Sequence, residues 1–293
     1  GLRGIIMRRT KIVATLGPSS SSYPVICRMA REGVDVFRLN FAHGTLEEKH
    51  ELIKNIRRVE EENGIFIGIM ADIPGRGPRI GSIPRKYMDI GEKVVFVFGL
   101  AESDNPHIIP VPQRMLQDVM DVGDEVLLAD GRVIVRIDRI LEDEAEGTVV
   151  SDGELRGNVS ITVRNRPLPF PALTRRDREF VRFSVKNDVD FIALSFVQSA
   201  DDIRELREFL RECGGENIKI ISKIENKIAI LNLKQILDAT DIVMVARGDL
   251  GVQLSLEEIP FLENLIIRES LKKGRPVILA TQVLESMIDS PVP

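Results

Sequence analysis

The strongest constraint on this chain is a rhythm: strand-length apolar runs end in charge and are separated by amphipathic helices. The stretch from Ile218 to Gly251 shows it most fully. Two runs, Ile218–Ser222 and Ile242–Ala246, flank a helix with Ile228, Ile230, Leu231, Leu233, Ile236 and Leu237 as its apolar members. A strand, a crossover helix and a parallel strand form a βαβ unit. Both charged ends then open on one edge of the sheet, where α/β proteins place their chemistry. Lys223 and Glu225 follow the first run; Arg247, Gly248 and Asp249 follow the second. Glu225 and Asp249 are hard oxygen ligands suited to Mg²⁺, which takes one or two carboxylates plus substrate oxygens. Gly248 lets the backbone approach a ligand closely. On a single strand such charges read equally well as solvated loop residues, so recurrence has to decide.

The pattern recurs from the start. Lys11–Thr15 is a strand that stops at Leu16-Gly17-Pro18, and the serines 19–22 cap a helix carrying Val25, Ile26 and Met29. Val34–Leu39 is a second strand, with Arg38, Asn40 and His43 at its end; Leu46, Leu52, Ile53 and Ile56 keep helical spacing after it. Ile65–Ala71 is nearly all apolar, as a strand covered on both faces should be. It ends in Asp72 and a loop, Pro74-Gly75-Arg76-Gly77-Pro78-Arg79. From about Gly81 to Val163 apolar and polar residues alternate, and Asp130-Gly131 marks a hairpin, which predicts a small antiparallel β domain inserted between strands. Pro167 to Pro171 leads back, and Thr174 with Asp177 opens a helix as a capping box. Strand Val189–Leu194 ends in Ser195, a helix spans Ser199 to Arg211, Ser255 and Glu258 cap another, and Pro276–Ala280 is a further strand before Thr281.

About seven βα units are thus legible around one insert. A closed (β/α)8 barrel needs eight strands, so the eighth is expected beyond Pro293. The expected division is 1–80 and 169–293 for the barrel and 81–168 for a β-barrel lid. The length of 293 residues accommodates one such barrel. A balance of 40 basic against 45 acidic residues offers no basic field for nucleic acid. The densest apolar run, Val94–Leu100, is strand-sized and no membrane span. The first residues read as neither a signal nor a transit peptide. Cys27 and Cys213 lack metal-type spacing and read as bystander thiols in a reducing compartment, with cytoplasm the default.

With the strand ends in view, the chain resembles pyruvate kinase across essentially its whole length. The likeness is carried by Thr10–Ser19 (TKIVATLGPS), Arg38–Gly44 (RLNFAHG), Ser222–Asn226 (SKIEN), Met244–Gly251 (MVARGDLG) and Ala280–Ile288 (ATQVLESMI). The resemblance implies a TIM barrel holding phosphoenolpyruvate and Mg²⁺ (or Mn²⁺) at its C-terminal strand ends, a β-barrel lid closing over them, and phosphoryl transfer to ADP. It places Glu225 and Asp249 on the divalent metal, Lys223 at the migrating phosphoryl group and Arg38 as phosphate clamp. Gly248 and its neighbour Arg247, together with Asp249, Ser195 and Thr281, fall on the substrate, Thr281 being tied to enolate protonation. Asn40, Phe41, Ala42 and His43, with Arg79 and Arg156, fall on the nucleotide, and Asp130 is a lid acid that swings towards the metal. A cytoplasmic homotetramer is the family's usual form. Architectural readings compete at several positions: Lys223 pairing with Glu225, Arg38 pairing with Asp72, and Asp130 serving only its hairpin.

The likeness fails at the family's monovalent-cation site. Asn40 and Asp72 are present, but Ala42 and Ile73 replace a serine and a threonine, and Gly77 stands where the acid that accompanies K⁺ dependence is found. Ile73 keeps its backbone carbonyl. Activity independent of K⁺ is therefore expected, with Arg76 supplying the missing charge. Gln198 stands where an arginine is common. Two other functions compete: a metal-dependent lyase or aldolase of the phosphoenolpyruvate/pyruvate superfamily, and a non-catalytic ligand-binding remnant. An aldolase has no phosphoryl group to neutralise, so Lys223 and Arg38 argue against the first; the full catalytic set argues against the second.

Overall fold

The computed structural model of the chain describes residues 11–246 and 257–280. In chain order its first elements are β1 (Val13–Leu16), α1 (Tyr23–Arg31), β2 (Val36–Asn40), α2 (Leu46–Asn63) and β3 (Gly68–Ile73). Eight short strands follow: β4 (Lys86–Met88), β5 (Lys93–Phe98), β6 (Ile108–Val111), β7 (Glu125–Leu128), β8 (Val133–Leu141), β9 (Glu144–Ser151), β10 (Gly153–Leu155) and β11 (Ile161–Val163). The alternation then resumes with α3 (Arg175–Lys186), β12 (Phe191–Leu194), α4 (Ala200–Glu212), β13 (Lys219–Ile224), α5 (Lys227–Leu231), α6 (Leu233–Ala239), β14 (Ile242–Ala246), α7 (Glu258–Lys272) and β15 (Val277–Ala280).

Seven strands pair in parallel in the order β1-β2-β3-β12-β13-β14-β15. The seven strands expected within the chain are all there, Ile242–Ala246 where expected and each of the others beginning up to three residues later than expected. β3 is buried at every position, as its unbroken apolar run requires. Val13, Met70, Ala193, Ile221 and Met244 form a separate small core, one inward residue from each of five strands, as in the layered interior of a barrel. The larger core lies between strands and helices, with Phe37, Leu39, Ile56, Ile69 and Val245 fully enclosed. Helix starts follow local chemistry. The Thr45 and Glu48 side chains and backbones cap α2 reciprocally, and α2 ends at Gly64 with φ of 62°. Thr174 and Asp177 do the same for α3. The single helix expected after Glu225 is instead two short ones meeting at Asn232, and Leu231, expected to point inward, is exposed. No described helix is long and apolar enough to cross a membrane.

Six strands of the insert form a curled sheet, order β11-β7-β8-β9-β5-β6, and β10 and β4 pair separately. The curled sheet is antiparallel as expected except at one edge, where β5 and β6 run parallel. The reason is the long return through residues 99–107, which brings the chain back to the start of β5 before β6 begins. The segment 78–82 spans the two sheet edges: Ile80 N–H donates to the Val159 carbonyl (3.0 Å) and Gly81 N–H to the Pro110 carbonyl (2.8 Å). Its core is independent of the barrel's, running from Ile80 through Phe96, Phe98 and Leu128 to Leu168. Burial of one such side chain stabilises by about 1.5–3 kcal/mol, so the insert has the means to hold its own shape.

Candidate active site

Parallel register decides what meets at the barrel rim. Asn40 pairs with Asp72, Asp72 with Ala193, Leu194 with Ser222 and Ile224 with Val245. The side chains following these positions therefore open on one edge. They line a cleft of about 570 Å³ between the barrel and the β7–β8 hairpin. Arg38, Asn40, Ala42, His43, Asp72, Arg79, Asp130, Ser195, Lys223 and Glu225 all line it. Arg247, Gly248, Asp249 and Thr281 lie outside the described residues.

Asp72 is the hub. Its buried carboxylate accepts from Arg38 Nε (2.6 Å) and from Lys223 Nζ (3.2 Å), while Ser195 Oγ donates to the Ile73 carbonyl (3.0 Å) and Lys223 Nζ donates to Ser195 Oγ (3.1 Å). Burial alone would push Asp72 up; Lys223 and Arg38 beside it hold its carboxyl below the ordinary 3.8 instead. Arg38 is held at its other end by Thr15 Oγ1 (3.1 Å). Glu225 lies 3.2 Å from Lys223 and accepts from the Phe196 N–H at 2.8 Å. The two pairings that compete with a catalytic reading, Lys223–Glu225 and Arg38–Asp72, thus both form, and both do so inside the cleft.

Phe196 has φ of 56°, a left-handed conformation rare for a bulky side chain and a form of stored strain. Its ring packs against the lid core while its N–H orients Glu225. Nothing in the sequence signals that conformation.

Two expected nucleotide contacts are not brought to the cleft. Phe41 is buried and stacks edge-on against Phe180 at 5.2 Å between ring centres; an aromatic of that size gains more from the core than from the rim. Arg156 sits on the lid exterior, 2.9 Å from Glu154. Arg85 and Arg156 together draw the Glu154 carboxyl down to about 2. Arg76, expected to supply charge to the cation site, turns away as well: its buried guanidinium pairs with Asp202 and donates to the Phe170 carbonyl (3.0 Å).

Three charged residues that line the cleft were not read as site residues in the sequence. Arg132 follows the hairpin, and Arg176 and Asp177 begin α3. Burial raises the Asp177 carboxyl, opposed by hydrogen bonds from Thr174 and from the Gly75 N–H (3.1 Å). The capping box had already explained Asp177, which hid its second contact.

A divalent cation suits this rim. Among the described residues no group of three or more His, Cys, Asp or Glu side chains gathers as a closed cage. A hard cation that keeps water and substrate oxygens needs only one or two carboxylates. Glu225, buried at the cleft wall with its oxygens fixed by Phe196 and Lys223, is such a donor.

Residues 7–293 match the family model "Pyruvate kinase, barrel domain". A pyruvate kinase of Thermotoga maritima is 37% identical over 288 residues, covering 98% of this chain and 62% of its own length. One from Thermococcus litoralis is 37% identical, covering 97% of the chain and 60% of its own length. One from Agrobacterium vitis is 38% identical, covering 98% and 59%. The chain thus spans about 60% of the length of the relatives it matches.

Proposed function

This chain belongs to the pyruvate kinase family, and on that premise we propose that it transfers the phosphoryl group of phosphoenolpyruvate to ADP, giving pyruvate and ATP in the last step of glycolysis. The observation that supports this most is the convergence of Arg38, Asp72, Lys223 and Glu225 on one cleft beneath the lid hairpin.

Phosphoryl transfer asks a protein for position and charge rather than covalent chemistry. Lys223 presents a compact positive charge, aimed by Asp72 and Ser195 at 3.2 and 3.1 Å. Arg38, fixed at both ends, clamps the phosphate with planar donors. Arg79, Asn40, Ala42 and His43 receive the nucleotide, with Arg132 and Arg176 adding positive charge from opposite walls. A divalent cation, Mg²⁺ or Mn²⁺, held by Glu225 and Asp249 would grip the carboxylate and enolate oxygens of the substrate and neutralise their charge. Gly248 and the Arg247 amide cradle the carboxylate, and Thr281 serves enolate protonation; these roles rest on motif alone. A coupled assay for ADP-dependent pyruvate release by the full-length protein tests the reading. Absence of pyruvate would overturn it in favour of a lyase, an aldolase or a binding remnant.

K⁺ independence belongs to the same proposal, with the charge now assigned differently. The groups left at the monovalent-cation site have internal partners: Asn40 Oδ1 accepts from Ala42 N–H (3.0 Å), the Ile73 carbonyl accepts from Ser195, and Asp72 is held by two cations. Turnover is expected to be unchanged when tetramethylammonium replaces K⁺; an absolute K⁺ requirement would refute this. A cytoplasmic homotetramer with no nucleic-acid or membrane partner completes the proposal, and the mass of the full-length protein in solution checks its oligomeric part.

A further inference from the structure

The lid joins the barrel through two strands of chain, residues 74–80 going out and 164–173 coming back. Buried polar side chains grip both. Gln198 holds the Leu168 backbone at two points: its Oε1 accepts from the Leu168 N–H (2.5 Å) and its Nε2 donates to the Leu168 carbonyl (3.2 Å). Arg76, on the outgoing strand, donates to the Phe170 carbonyl on the returning one (3.0 Å). It also pairs with Asp202, whose other oxygen accepts from the Gln198 N–H (2.7 Å) and from the Ser199 N–H (3.3 Å), the second of which caps α4. Arg76, Gln198 and Asp202 are all less than one-tenth exposed, and the Arg76 Nε is buried without a hydrogen-bond partner among the described residues. A guanidinium enclosed at that cost serves the junction and is not part of the cleft lining.

Leu168 and Phe170 pack into the lid core, so the lid cannot turn without moving the two backbone groups that Gln198 and Arg76 hold. The same short loop, residues 195–199, carries Ser195 and Phe196, which touch Lys223 and Glu225. Gly75 ties the outgoing strand to that loop: its φ is +70°, and a Cβ there would meet the Ser195 carbonyl at 2.6 Å. We propose that Arg76 and Gln198 are positioning residues, a buried latch that sets the angle of the lid over the cleft and transmits it to Lys223 and Glu225 through the 195–199 loop. Its catalytic consequence rests on the kinase reading above.

Spin labels at Asp104→Cys on the lid and Glu208→Cys on α4, in a Cys213→Ser background, report the lid angle without turnover. Q198L is expected to broaden that distance distribution and to raise the KM for ADP by about tenfold, the equivalent of one buried hydrogen bond, with a smaller change in kcat. R76M leaves Asp202 unpaired and is expected to lower Tm. R76M/D202N is expected to restore Tm but not the lid distance, because the Phe170 carbonyl stays unheld. R76M/D202N and Q198L proteins with wild-type distance distributions would overturn the latch. If the wild-type full-length protein makes no pyruvate, the kinase reading fails and the distances alone decide the latch.

Discussion

The two walls of the cleft are built on different principles. On the barrel side, Asp72, Ser195, Lys223 and Glu225 are all buried, and their contacts interlock. On the lid side, Arg132 is exposed, and Asp130 is held by a reciprocal pair of bonds with Ser160, its N–H donating at 3.0 Å and its carboxylate accepting at 3.0 Å. The hairpin bends through positive φ at Ala129, Asp130 and Gly131. Charges fixed in a low-dielectric wall act at full strength and need no rearrangement at the moment of reaction. Charges on an exposed hairpin are screened by water and salt. The contrast predicts that damage to the barrel wall should cost rate and stability, whereas damage to the lid wall should cost binding.

The largest effect should come from K223M, which removes the ammonium and leaves Asp72 with one cation. Turnover is expected to fall by about 10³-fold, measured as pyruvate release, with Mn²⁺ binding retained; unchanged turnover would take Lys223 out of the mechanism and break the comparison at its centre. D72N should show the stability side. It leaves Arg38 and Lys223 without their shared counter-charge, at a cost of about 3–5 kcal/mol in denaturant unfolding. The pH dependence has a definite sign. The folded carboxyl lies below its ordinary 3.8, so its stabilisation is complete above that value and is lost as pH falls through the lowered one. D72N should therefore flatten the acid limb of the stability profile; an unaltered acid limb would mean that other carboxylates dominate it.

Strands and one helix cap were legible because they follow from local chemistry: apolar runs, Thr174 with Asp177, and the Asp130-Gly131 turn. The barrel-wall residues were legible because register brings successive strand ends together. Features set by long-range packing were not. Arg76 sits in a loop beside residues that line the cleft, and only the fold shows its guanidinium directed to Asp202, more than a hundred positions away. Phe41 is flanked by cleft residues, yet its ring belongs to the core. The parallel pairing of β5 and β6 depends on where a long loop returns, which alternation of residues does not encode. Arg132 and Arg176 belong to no motif, and a lone arginine in a sequence carries no address.

A middle-sized effect should separate the walls. D130N keeps the hairpin geometry but removes the lid carboxylate. If that acid reaches the site only on closure, the KM for ADP should rise about three- to tenfold with the unfolding midpoint unchanged, the magnitude of one charge-assisted hydrogen bond. A loss of stability with unaltered kinetics would assign Asp130 to the turn alone, and the lid wall would then contribute shape rather than charge.

The smallest effect should be at Arg156. It is exposed, shares Glu154 with Arg85 and lies off the cleft. Exposed pairs of this kind are screened by water and salt and seldom contribute measurably. R156A is therefore expected to leave both the KM for ADP and the unfolding midpoint within error of wild type at 0.15 M salt. A tenfold rise in that KM would mean that closure turns the outer face of the lid towards the nucleotide, a larger rotation than the hairpin needs to bring Asp130 to Glu225. The lid wall would then be as much a part of the binding machinery as the barrel wall, differing from it only in when it is assembled.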